Sequence, residues 1–213
     1  MPSRAPAPPS PQLVYVVDDD PDVLEAIGDL LASIGLRATL FPSVDAFLAA
    51  MPPDPCGCLV LDVRLPGRSG LDFHQDLVKA GITLPVIFLS GHADVPMSVR
   101  AMKGGAFEFF TKPVRNQDLL DAIQSALARD RQRRLEAEAR TALRIAYARL
   151  TAREREVMGL VAAGLLNKQI ASELGVAEAT IKLHRGQVMR KMGVPSLADL
   201  VRAADQLKGE AGV

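Results

Sequence analysis

Short, nearly unbroken apolar runs recur through the first half of the chain, and each is followed by a stretch with helical spacing. Leu13-Val14-Tyr15-Val16-Val17 is an unbroken apolar run with three β-branched valines, so it reads as a strand buried on both faces. A helix follows over Pro21–Ile34: Asp20 is its N-cap and Pro21 its first position, Val23, Leu24, Ile27, Leu30, Leu31 and Ile34 recur at helical spacing, and Gly35 ends it. The pattern repeats with strands at Arg37–Phe41, Cys58–Leu61, Pro85–Leu89 and Phe107–Thr111, between helices at Ser43–Ala50, Leu71–Ala80, Val95–Gly104 and one beginning near Asn116. Strands that alternate with helices, and that lack the polar face of an antiparallel sheet, call for a doubly wound α/β fold around a five-stranded parallel sheet.

Such sheets place their ligand sites at the carboxyl ends of the strands. The first strand ends in Asp18, Asp19 and Asp20, the third in Asp62, the fourth in Ser90, and the fifth in Lys112 followed by Pro113. On its own the aspartate run reads as an acidic helix cap, and a lone Lys-Pro is a weak signal. Four such features at four matching strand ends point instead to a site. Converging carboxylates repel and offer the hard oxygen ligands that suit Mg²⁺. Phosphoryl transfer onto one of them needs in addition a fixed cation and a hydroxyl donor, roles that Lys112 and Ser90 can fill.

Val16-Val17-Asp18-Asp19-Asp20, Leu61-Asp62-Val63-Arg64-Leu65-Pro66-Gly67-Arg68-Ser69-Gly70, Leu89-Ser90-Gly91-His92 and Thr111-Lys112-Pro113 resemble, in order and spacing, the receiver domain of two-component response regulators. The resemblance implies a flavodoxin-like receiver over 12–127 with Asp62 as phosphoacceptor. Asp19 would bind Mg²⁺ directly, Asp18 mainly through water, and the backbone carbonyl of Arg64 would complete the protein ligands with Asp62. Ser90 would be the switch hydroxyl and Phe109 the switch aromatic, although Phe109 lacks a hydroxyl and is equally read as a packing residue. Lys112 would contact the phosphate, and Gly91-His92-Ala93-Asp94-Val95-Pro96-Met97 suggests the FixJ-like branch. Arg64 and His92 stand beside the acceptor where such side chains control access of water, so phosphate lifetime stays open.

Helical spacing continues without Gly or Pro to about Arg149, but Arg129 to Arg140 is almost wholly charged or small, which reads as a solvated linker helix over 128–149, with a dimeric coiled coil of poor seam as the alternative. Thr151, with Glu154 three residues on, then opens a set of short helices at Thr151–Ala163, Asn167–Leu174, Ala177–Met192 and Ser196–Gln206, closed by Gly164, Gly175 and Gly193. Leu150-Thr151-Ala152-Arg153-Glu154-Arg155-Glu156-Val157, Asn167-Lys168-Gln169-Ile170-Ala171 and Thr180-Ile181-Lys182-Leu183-His184-Arg185 resemble the LuxR-type helix-turn-helix domain, here over 150–213. That likeness implies that Asn167–Leu174 is the scaffold helix and Glu178–Met192 the recognition helix. Independently, Ile181, Val188 and Met192 fall on one face, which turns Lys182, Arg185 and Gln187 outward with His184 nearer the boundary. The candidate DNA contacts are Lys168, Thr180, Lys182, Leu183, His184, Arg185, Gln187 and Lys191.

Charge follows the same division. The formal total is zero, from 25 basic and 25 acidic residues, but 1–125 carries 9 basic against 15 acidic and 126–213 carries 16 against 10. Most of the second excess lies in the linker, so placement on one helix face, more than bulk charge, must carry DNA recognition. Cys56 and Cys58 lead into a strand, where neighbouring-but-one side chains point to opposite faces and do not pair in a disulfide. The arm 1–11 holds five prolines and no apolar stretch of signal-peptide type, and no run of 18 apolar residues occurs, so a cytoplasmic protein without membrane contact is expected.

The expectation is a transcription regulator of the NarL/FixJ type, phosphorylated on Asp62 by a sensor histidine kinase, which then dimerises and binds double-stranded promoter DNA. RNA polymerase is a candidate further partner, and the only chemistry expected of the chain is its own phosphorylation and dephosphorylation. Two rivals stay open: a receiver that serves as a phosphate sink, and a constitutive DNA binder in which the receiver is only a dimer scaffold.

Overall fold

The structure, a computed structural model, describes residues 12–91 and 95–210. The expected arm 1–11 and the segment His92–Asp94 lie outside these residues. The first unit contains β1 (Leu13–Val17), α1 (Pro21–Ser33), β2 (Ala38–Phe41), α2 (Val44–Ala50), β3 (Gly57–Asp62), the two-residue strands β4 (Arg64–Leu65) and β5 (Arg68–Ser69), α3 (Gly70–Lys79), β6 (Val86–Ser90), α4 (Val95–Lys103), β7 (Glu108–Thr111) and the first part of α5 (Asn116–Ala148). β2, β1, β3, β6 and β7 form, in that spatial order, one five-stranded sheet in which every pairing is parallel. Strand order reverses beside β1, which opens the crevice between the carboxyl ends of β1 and β3 where doubly wound sheets bind ligands.

The period of two along each strand builds both cores. Val14 and Val16 of β1, Cys58 and Val60 of β3, and Ile87 and Leu89 of β6 pack with Ile27 and Leu31 of α1 and with Leu119 and Ile123 of α5. The intervening residues, Tyr15 and Val17, Leu59 and Leu61, and Val86 and Phe88, pack on the other face with Phe47 of α2 and Phe73 of α3. Aromatic residues are scarce, yet Phe47 sits edge-on to Tyr15, Phe41 and Phe73, with ring centroids 5.5–5.9 Å apart. Neither cysteine is in a disulfide, and Cys58 is buried within β3.

The elements lie where the sequence places them to within a residue or two, except the last helix, expected to end at Gln206, which runs on to Glu210. Ile34 differs: α1 ends at Ser33, so Ile34 is its C-cap and remains 43% exposed. The β4–β5 hairpin was not expected, because its strands are two residues long and carry no periodic signal. The solvated reading of Arg129–Arg140 is corrected at its start. Asp130 is fully buried and accepts a hydrogen bond from Gly57 N–H at 2.9 Å, so this turn of α5 packs on the first unit, and the compact units divide after Arg134.

The second unit holds the rest of α5 with α6 (Ala152–Ala162), α7 (Asn167–Leu174), α8 (Glu178–Met192) and α9 (Leu197–Glu210). Leu150, Val157, Val161, Ile170, Ile181, Val188, Met192 and Leu200 form its core. No helix among the described residues is long and apolar enough to cross a membrane.

Because Phe47 joins three aromatic neighbours at full burial, Phe47→Ala is expected to destabilise the first unit by about 3–5 kcal/mol. Urea denaturation followed by far-UV circular dichroism, with the second unit's transition as internal reference, measures this loss.

Candidate functional site

The carboxyl ends of the strands bring together Asp18, Asp19 and Asp62, which offer carboxylate oxygens that all lie within 4.8 Å of one another. Asp18 and Asp62 are buried and Asp19 is exposed. At an effective dielectric of about 20, two unit charges at this spacing repel by on the order of 3–4 kcal/mol, so the cluster needs a cation. Lys112 supplies one, its Nζ donating to Asp18 Oδ2 at 2.6 Å and to Asp62 Oδ2 at 2.9 Å. Burial pushes the Asp18 carboxyl above its ordinary value, against the pull of Lys112. Burial likewise opposes the Lys112 charge, but its hydrogen bonds to the two carboxylates outweigh that and hold its pKa above the ordinary lysine value.

Backbone groups fix the other oxygens. Asp20 N–H donates to Asp18 Oδ1 at 3.0 Å, which turns the chain into α1, where Asp20 caps the helix by accepting from Asp22 N–H. Arg64 N–H donates to Asp62 Oδ1 at 3.0 Å, and Arg64 opens the β4–β5 hairpin. Gly70, the first residue of α3, lies so close to β3 that a Cβ there would fall 2.2 Å from the Asp62 carbonyl oxygen. Gly70 therefore admits the hairpin and α3 beside Asp62, a role that its place in the sequence motif did not reveal.

Sheet register places the remaining residues. Asp62 stands opposite Leu89 on β6, and Ser90, fully buried, is the next residue along. Thr111 stands opposite Ser90, and Lys112 N–H donates to the Ser90 carbonyl at 2.8 Å across a junction whose Lys112–Pro113 peptide is cis. Ser90 Oγ lies 3.8 Å from the Met97 sulfur, a neighbour that sequence reading did not anticipate. Phe109 stands opposite Phe88, with ring centroids 6.3 Å apart, and is partly exposed.

In the second unit α8 buries Ile181, Val188 and Met192, as its spacing predicts. Lys168, Lys182 and Leu183 are exposed, while Thr180, His184, Arg185 and Gln187 are partly exposed. Two sequence candidates are tied down within the unit. Arg185 donates to the Asn167 side chain at the start of α7. Lys191 pairs with Glu154 at 2.6 Å, and Glu154 in turn closes a capping box with Thr151 at the start of α6. Lys191 thereby fastens the last turn of α8 to α6, a pairing between residues too distant in sequence to be read from it.

Models of the response regulator receiver domain and of the luxR family of bacterial regulatory proteins match residues 14–124 and 148–204. Nodulation protein W of Bradyrhizobium diazoefficiens is 49% identical over 195 residues, covering 92% of this chain and 86% of its own. Transcriptional regulatory protein FixJ of Azorhizobium caulinodans is 41% identical over 191 residues, covering 90% of each chain. Among solved structures, the response regulator StyR superposes with a TM-score of 0.83 at 44% identity, over 92% of this chain and all of that one. Fold and site together define a receiver joined to a LuxR-type DNA-binding domain. The chain belongs to the NarL/FixJ family of two-component transcriptional response regulators.

Lys191, together with the capping hydrogen bonds, holds the Glu154 carboxyl below its usual range. A carboxyl depressed by folding contributes stability that is complete above its unfolded pKa, about 4.3, and is lost as pH falls through the lower folded value. The second unit is therefore expected to lose thermal stability below about pH 4, and Glu154→Gln to flatten that acid limb while lowering the melting temperature at neutral pH. Thermal melts across pH for both proteins measure the difference.

Proposed function

We propose that Asp62 accepts a phosphoryl group from a sensor histidine kinase and that the acyl phosphate increases the affinity of the second unit for promoter DNA. The observation that carries this reading is the convergence of Asp18, Asp19 and Asp62 on Lys112 at the strand ends. In the transfer the P–N bond of a phosphohistidine breaks as a bond forms from an Asp62 carboxylate oxygen to phosphorus, and the nitrogen keeps the electron pair. The donors around the cluster are all hard oxygens, a set that fits Mg²⁺. Asp19 and Asp62, the Arg64 carbonyl and, mainly through water, Asp18 would hold the ion, which supplies neutralisation of the phosphoryl oxygens. Lys112 pairs with one phosphoryl oxygen and Ser90 Oγ donates to another. The same cluster supports the receiver's own dephosphorylation.

Occupation of the Ser90 hydroxyl, together with repacking of Phe109, biases the surface of α4 and β7 towards a homodimer. The dimer presents two α8 helices to two half-sites in the major groove. Exposed Lys182 and Lys168 contact phosphates, with Thr180 and His184 at the backbone or its edge. Arg185, steadied by Asn167, and Gln187 reach base edges, and Leu183, 59% exposed, packs on a thymine methyl. Lys191 holds α8 in place for these contacts. The protein acts in the cytoplasm, with RNA polymerase as a further partner at the promoter.

DNA recovered by genomic footprinting provides the assay. Beryllofluoride, a phosphoryl mimic, is expected to tighten binding and induce dimers in the wild type and to do neither in Asp62→Asn; an equal gain in the variant would overturn the reading. Lys182→Ala is expected to lower the slope of log Kobs against log salt by about 0.9, the value for one phosphate contact.

A further inference from the structure

Asp130 takes no part in the phosphoryl site or the DNA face, yet it is fully buried. Its carboxylate is saturated by donors from two parts of the first unit. Oδ1 accepts from Arg133 at 2.6 Å, and Oδ2 accepts from Arg134 Nε at 3.0 Å and from Gly57 N–H at 2.9 Å. Arg134 carries the connection further, gripping both oxygens of Asp54 at 2.7 and 3.0 Å and donating to the Pro55 carbonyl. Gly57 stands at φ +133°, and a Cβ there would fall 1.8 Å from the Leu13 carbonyl oxygen, so only glycine turns its N–H to this carboxylate. One turn earlier, Gln12 donates to the Leu127 carbonyl at 2.5 Å and accepts from Arg131 at 2.8 Å. A buried charge is tolerated only with such complete pairing, and removing one partner is strongly destabilising. The turn Arg129–Arg134 is therefore bolted to the first unit, and the compact unit ends where these bonds end.

The bolt is attached to one end of β3, and Asp62 stands at the other end of the same strand. We propose that Asp130, acting with Arg134, is a positioning residue of signal output: it clasps the start of the linker to β3 and so passes the state of the receiver into the helix that leads to the DNA-binding unit. The inference rests on the reading of Asp62 as phosphoacceptor. Without the clasp the linker would fray back towards Leu127, and a change at Asp62 would no longer reach it.

The test uses the full chain and three readouts: hydrogen exchange over 126–140, phosphate incorporation from acetyl phosphate, and the ratio of DNA affinities with and without beryllofluoride. In Asp130→Asn, exchange at the linker start is expected to rise, incorporation to stay at the wild-type level, and the affinity ratio to fall about tenfold or to one, within the range of allosteric couplings. A purely structural role would lower the melting temperature and leave the ratio intact, which overturns the proposal. Asp54→Ala keeps the Asp130 bonds and removes an exposed partner of Arg134, so it folds even where Asp130→Asn does not. It is expected to lower the ratio less, in the same direction, and an unchanged ratio there also overturns the clasp. Absence of any beryllofluoride gain in the wild type would instead strike the phosphoacceptor reading, and the output role with it.

Discussion

Three carboxylates held within 4.8 Å of one another make a site that cannot be electrically neutral with Lys112 alone, and the first unit is arranged around that imbalance. Two of the carboxylates are buried on adjacent strands, where water screens them poorly, and their orientation is set by backbone N–H groups of Asp20 and Arg64. Lys112 reaches them from β7, two strands beyond β3, because β6 and β7 run parallel to β3 and end level with it. The donor set that results, three hard carboxylate oxygens beside one lysine, is compatible with Mg²⁺.

The scaffold that holds this cluster is a consequence of strand periodicity. Each central strand sends alternate side chains into two separate cores, so Asp18 and Asp62 emerge at fixed positions from strands that cannot slide by one residue without exchanging both faces. In the second unit the same economy applies to helices. Ile181, Val188 and Met192 fix the rotation of α8, and the Lys191–Glu154 pair fixes its last turn against the capping box of α6. The zero net charge of the whole chain conceals a division between an acidic half that holds the carboxylate cluster and a basic half whose excess lies mostly in the linker.

Local periodic features were legible in the sequence: the five strands, the caps at Asp20 and Thr151, the polar strand ends and the apolar face of α8. Contacts between residues remote in sequence were not. Asp130 sits in a run of charged residues and carries no mark of burial; its partner Gly57 lies 73 positions away, and only the packing of α5 on β3 brings the two together. The pairing of Lys191 with Glu154, 37 positions earlier, likewise leaves no mark in a lysine on the face of a helix. Gly70 was visible as part of a motif, but the reason for it, a carbonyl oxygen that leaves no room for a Cβ, is a matter of distance.

A phosphoryl group on Asp62 leaves a chemical trace that marks the oxygen carrying it. Borohydride reduces an acyl phosphate to the alcohol, so an aspartyl phosphate becomes homoserine at the modified position. Treatment of the full chain with acetyl phosphate and Mg²⁺, then borohydride and tandem mass spectrometry, should yield homoserine at position 62 and at no other aspartate, with the signal lost when Mg²⁺ is chelated. Homoserine at Asp18 or Asp19, or modification of Asp62 that persists without a divalent cation, would contradict the account.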